Sequence, residues 1–206
     1  VVRFLVSDAG LAGDTPINTG ATPVHIACAK GHLDVVRFLV SDQGLAGDTP
    51  RNNGMTPVFI ASQNGHLDVV RFLVSDAGLA GDTPMNDGRT PVYIASQNGH
   101  LDVVRFLVSD AGLAGDTPNN NGATPVYIAS ENGHLDVLRY LIREWGVRGD
   151  TPADNGWTPV HVASHEGHLD VVRFLVSDMG LAGNTPDYDG RTPVHVASHE
   201  GHHDVV

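Results

Sequence analysis

One spacing governs this sequence from end to end. Thr-Pro-Val recurs at Thr22, Thr56, Thr90, Thr124, Thr158 and Thr192, always 34 residues apart, and Gly-His recurs with the same step from Gly31 to Gly201. Five whole copies run 17–50, 51–84, 85–118, 119–152 and 153–186, flanked by partial copies at 1–16 and 187–206. No insertion breaks the register. Repeats of this length are supersecondary units that cannot bury an apolar face alone, so they must stack on one another into an elongated array.

The copy at 17–50 can be read residue by residue. Thr22 is a good N-cap and Pro23 a good first helical residue, since its missing N–H would have no helical partner there. A short helix from Pro23 to Ala29 turns Val24, Ile26 and Ala27 toward neighbours, and Gly31 ends it. A second helix is expected from about Leu33 to Ser41. Leu33, Val36 and Val40 recur at helical spacing, and Val35, Phe38 and Leu39 widen the apolar stripe. Asp34 suits the first turn and stands one turn from Arg37. The stretch Gly44 to Pro50 is irregular, and Asn52-Asn53-Gly54 reads as a tight turn with positive φ at a hairpin tip. The fold class expected is mainly α, with each copy contributing two helices and a projecting loop or hairpin.

These residues carry a family resemblance. Gly54-Met55-Thr56-Pro57-Val58, Ala61, Gly65-His66-Leu67-Asp68-Val69-Val70 and Leu73 resemble the signature of the ankyrin repeat, and the likeness extends over every copy. It implies a helix-helix-hairpin solenoid. The period is one residue longer than the family's usual 33. The extra residue falls near the end of the second helix, in Ser-Asp-x-Gly, and Gly-Leu-Ala-Gly-Asp-Thr-Pro replaces the family's Gly-Ala-Asp. The stack should survive with altered geometry where the second helix meets the hairpin.

Composition narrows the partner. A formal net charge of -12 argues against nucleic acid or an anionic membrane and favours a protein with a basic surface, or simply serves solubility. No apolar run approaches the roughly 18 residues of a membrane span, and no signal peptide opens the chain, which points to a cytoplasmic setting. The lone Cys28 excludes an internal disulfide, and serine takes its place in the other copies. The sequence begins and stops at the same phase of the repeat without a polar capping copy, as a segment of a longer solenoid would.

The copies differ at three places: after the hairpin glycine, after the loop proline, and at the end of the first helix. The resemblance implies that hairpin tips and the first-helix surface line a concave binding face. Arg51, Met55, Met85, Arg89, Trp157, His165, Arg191 and His199 fall there and are the candidate partner contacts, with Trp157 foremost as an exposed indole. Drift at exposed positions is the competing explanation. A second candidate set is Arg143, Trp145 and Arg148, which distinguish one copy near the end of its second helix. They form either a lateral docking patch or, for Trp145, the filling of a local gap.

Metal and catalytic readings fare worse. His161 and His165 are four apart, as are His195 and His199, a spacing that suits zinc. His161 and His195 nevertheless occupy the signature's structural histidine slot, and His165-Glu166-Gly167-His168 is too short for a helical zinc motif. Asp48, Asp82 and Asp116 lack the ligand spacing of a calcium loop. No nucleophile, base and oxyanion donor group together except as repeated structure, so neither cofactor nor enzyme is expected. The expected role is a non-catalytic scaffold for a protein partner. The alternative is an architectural or filament-forming solenoid that stacks on further copies of itself.

Overall fold

The computed structural model describes all 206 residues. Paired helices run through the chain: α1 (Pro23–Ala29) and α2 (Leu33–Arg37), α3 (Pro57–Gln63) and α4 (Leu67–Arg71), α5 (Pro91–Gln97) and α6 (Leu101–Arg105), α7 (Pro125–Glu131) and α8 (Leu135–Arg139), α9 (Pro159–His165) and α10 (Leu169–Arg173), and finally α11 (Pro193–Glu200). The first helices pack on one another in an unbroken row from α1 to α11, and each second helix lies against the first helix of its own repeat. One continuous apolar core joins the repeats, with Val36, Leu39, Val70, Leu73, Leu107, Leu138, Leu141 and Leu175 fully covered.

The thirty-fourth residue is absorbed by a change of helix type. Each second helix is α-helical for five residues and then passes into a π-turn, at Phe38–Asp42, Phe72–Asp76, Phe106–Asp110, Tyr140–Glu144 and Phe174–Asp178, with a matching segment at Phe4–Asp8. The Gln43 N–H donates to the Phe38 carbonyl at 3.0 Å and the Ala77 N–H to Phe72 at 2.9 Å, five residues back instead of four. An inserted residue widens the helix locally and leaves the ladder before it intact. The closing bond is widened as well, the Leu79 N–H reaching the Leu73 carbonyl at 2.9 Å past Gly78, whose φ is 68°. The expected disturbance at the end of the second helix is therefore this turn.

The projecting loops carry no strands. Their tips are closed by two backbone bonds, Arg51 N–H to the Met55 carbonyl and Gly54 N–H to the Arg51 carbonyl, both 2.9 Å. Positive φ is confined to the glycine, 86° at Gly54, and neither Asn52 nor Asn53 shares it. The tips are instead tied to each other. Asn52, Asn86 and Asn120 each donate a side-chain N–H to a backbone carbonyl of the preceding tip, at 3.1 to 3.3 Å. Asp154 follows in this series and has no amide to donate, so the side-chain ladder stops there.

Two further ladders cross the repeats. The Gly-His histidines donate Nε2–H to carbonyls 37 residues back, His66 to Ala29 at 3.2 Å, His100 to Gln63 at 3.1 Å and His134 to Gln97 at 3.0 Å. On the second-helix side, Arg37 does not use Asp34. Its guanidinium lies 5.1 Å from the centre of the Phe72 ring and 3.5 Å from Asp76, both in the next repeat. Arg3, Arg71 and Arg105 repeat this arrangement. The side chains reach along the stack because the neighbouring repeat offers an aromatic face as well as a carboxylate.

Candidate functional site

The face made by the first helices and loop tips is built on the Thr-Pro caps. Thr56, Thr90 and Thr124 each accept the N–H of the aromatic residue three positions on, at 3.2 Å. Where that residue is histidine the arrangement changes. His25 and His161 accept the Thr22 and Thr158 N–H on Nδ1 at 3.2 Å, and their Nε2–H donates to the Met55 and Arg191 carbonyls at 3.1 Å. Both ring nitrogens of the neutral form are thereby satisfied and none is free for a metal. Burial pushes both imidazoles below their ordinary 6.5. Because the folded state disfavours the proton that the unfolded chain accepts, this stability is complete above pH 6.5 and is lost as the pH falls below it. Thermal melting between pH 7 and 5 should show that decline, and His25→Phe with His161→Phe, copying Phe59, should flatten it.

The candidate contacts do not all reach the surface. Met85 is only 8% exposed and packs with Phe59 and Ile94, so it is a plug in the face and not an anchor for a partner. Arg51 lies along Met55, its Nη1 3.7 Å from the sulfur, while its Nε is covered without a partner. Arg89 is paired to Asp87 at 2.8 Å.

The strongest gathering is at Trp157. The indole is half-buried, contrary to the exposed side chain expected, because it lies 6.1 Å from the His161 ring and 5.5 Å from the His165 ring. Its Nε1–H donates to Asp187 at 2.9 Å, and the Arg191 guanidinium sits 6.0 Å from its centre. Asp187, which sequence reasoning did not single out, is the hub. It is buried and accepts from the Arg191 N–H at 2.8 Å and from Arg191 Nε at 3.0 Å. Burial pushes its carboxyl up, and these bonds with that of Trp157 outweigh it, holding the group below the usual carboxylate range. Only its place in the variable slot after the loop proline could have pointed to it. Beside this cluster, His165 meets Glu166 at 2.7 Å and His199 meets Glu200 at 2.6 Å. Trp157, His165 and Arg191 are thus brought together, with His199 close by through Glu200.

Arg143, Trp145 and Arg148 do not converge. Arg143 joins the second-helix ladder through Phe174 and Asp178, at 5.1 and 3.2 Å. Arg148 turns to Asp150 at 3.1 Å. Trp145 is 45% exposed and leans over Gly115.

Helix pairs repeated at a fixed step, stacked through nearest neighbours and without strands, define a helical solenoid. The family model for ankyrin repeats matches residues 1–80, 77–151 and 145–206. The chain belongs to the ankyrin repeat family, whose members are generally protein-protein interaction modules and typically non-catalytic scaffolds. No curated protein matches it. No helix is long and apolar enough to cross a membrane.

Proposed function

We propose that the chain is a non-catalytic scaffold that holds a protein partner on the face formed by its loop tips and first helices. The observation that carries this reading is the meeting of Trp157, His165 and Arg191. Side chains from three variable positions in two adjacent repeats converge there, whereas the repeated residues around them are engaged in packing. Arg51, Met55 and Arg89 extend the same face toward the first repeats, and His199 extends it toward the last. Glu131, Glu166 and Glu200 at the helix ends, together with the overall charge of -12, suit a partner with a basic surface and disfavour nucleic acid. The setting we propose is cytoplasmic. Cys28 is compatible with it, being covered and free, with its thiol pushed up to about 12 by burial.

Immobilised protein should retain a distinct set of partners from cell extract. His165→Ala with Arg191→Ala should lose that set, while Arg143→Ala with Arg148→Ala should keep it. Equal retention by both double variants would sink the assignment of the face.

A second reading, stacking on further copies, draws on the exact 34-residue period and the few positions at which the copies differ. Under that reading sedimentation velocity should reveal end-to-end oligomers that grow with concentration, and a monomer throughout would rule it out.

A further inference from the structure

Two gaps along the first-helix face are filled by this chain's own side chains. Met85 closes the gap beside Phe59 and Ile94. Two repeats on, Trp157 closes the gap beside His161 and His165, held by Asp187. Between these plugs lies a cavity of about 550 Å³ whose walls include Tyr93, Asn119, Tyr127, Glu131, Ala153 and Asn155.

It is open for a reason visible in the sequence. Asn119 and Ala153 occupy the slot that Met85 fills one and two repeats earlier, and Ala123 takes the place of Arg89 and Trp157. Asn119 is drawn back into its own turn, its Oδ1 accepting from the Asn121 and Ala123 N–H at 2.9 and 3.0 Å, and its Nδ2 donating to the Tyr93 hydroxyl at 3.3 Å. Ala153 has nothing beyond Cβ.

The lining has a definite chemistry. Tyr93 and Tyr127 are buried, and burial with the nearby Glu131 carboxylate pushes both phenols up, to about 12 for Tyr93. They therefore present neutral aromatic walls. Glu131 is half-buried, and burial followed by repulsion from Glu166 pushes its carboxyl up. The one base that it senses, His165, is turned to Glu166 at 2.7 Å and to Glu200 at 3.7 Å. An anion entering here would meet Glu131 and Asp154. A purely apolar group would strip water from the Glu131 carboxylate without replacing its hydrogen bonds. A cation on an aliphatic stem meets both demands, with aromatic walls for the stem and the Glu131 carboxylate for the head.

We propose that this recess receives a basic side chain, lysine or arginine, presented by the protein partner. The inference rests on the reading of this face as the partner-binding surface and adds the chemistry of one contact.

The test uses the whole chain with three capped tripeptides, acetyl-Ala-Lys-Ala-amide, acetyl-Ala-Arg-Ala-amide and acetyl-Ala-norleucine-Ala-amide, titrated while the Tyr93 and Tyr127 ring resonances are followed by NMR. The two basic peptides should give saturable shifts at both rings, and the norleucine peptide should not. Glu131→Gln should weaken binding about fivefold, as loss of one partly shielded ion pair would. Ala153→Met, which copies the Met85 plug, should abolish it. Equal shifts from norleucine, undiminished binding by Glu131→Gln, or no response to either basic peptide would overturn the proposal. The two readings separate cleanly. Loss of extract partners by the His165 and Arg191 double variant with no peptide response here removes this recess alone. Peptide response with unchanged partner retention removes the wider assignment alone.

Discussion

Gly99→Ala should destabilise the chain by about 3 kcal/mol, whereas Gly78→Ala should cost only about 1 kcal/mol. Both glycines have left-handed backbone, φ 72° and 68°, so an L side chain meets the same torsional penalty at each. Their surroundings differ. A Cβ at Gly78 meets nothing within 4 Å, but at Gly99 it would lie 2.6 Å from Nδ1 and 2.7 Å from Cε1 of His134 in the next repeat. That ring has little freedom to retreat, because its Nε2–H is bonded to the Gln97 carbonyl at 3.0 Å. Alanine at Gly99 therefore adds the loss of an inter-repeat hydrogen bond and a shift of the stacking surface to the torsional strain. Urea unfolding of the two variants, read at the same temperature, checks the difference. Equal destabilisation would mean that the Gly-His pair does not couple the repeats.

What the sequence disclosed and what it withheld divide along a physical line. The Thr-Pro helix starts, the Gly-His stops and the site of the extra residue are local, so spacing within one copy reveals them. The π-turn is the local answer to an added residue in Ser-Asp-x-Gly. Contacts between copies depend on how one repeat is set against the next, which a period does not encode. Arg37 illustrates this: its near neighbour Asp34 suggested a bond within the helix, but the guanidinium instead covers the Phe72 ring and pairs with Asp76 across the stack. Met85 and Trp157 read alike as anchors in variable slots. Met85 proved to be a plug and Trp157 half of an internal cluster, because the size of the residues one repeat away decides whether a slot is filled. The recess beside Tyr93 was illegible for the same reason. It arises from what Asn119, Ala123 and Ala153 fail to fill, and absence of bulk is invisible until the neighbours are in position. The expected hairpin tips are isolated two-bond turns, and Asn52 and its successors engage the preceding tip.

Leu107→Ala, expected to lose about 3 to 4 kcal/mol, should do more than lower stability. Leu107 is fully buried in the column formed by Leu39, Leu73, Leu141 and Leu175. Its Cδ2 comes within 3.6 Å of the position that a Cβ on Gly81 would take, so it touches the loop of the preceding repeat. Truncation opens a cavity at the middle of the stack, where each repeat is held only by its neighbours. In such a one-dimensional array a weak central interface uncouples the blocks on either side. Both tryptophans, Trp145 and Trp157, lie on the C-terminal side of that break. Their fluorescence should therefore report unfolding of one block, while far-ultraviolet circular dichroism averages over all the helices. In the wild-type chain the two urea transitions should coincide, and in Leu107→Ala they should separate. Amide exchange should locate the lost protection in repeats 85–118 and 119–152, with the helices around Leu39 less affected. Coincident transitions in the variant, with uniform loss of protection, would show that cooperativity reaches beyond the nearest repeat and that the ladders of histidine and arginine couple the stack more strongly than its core does.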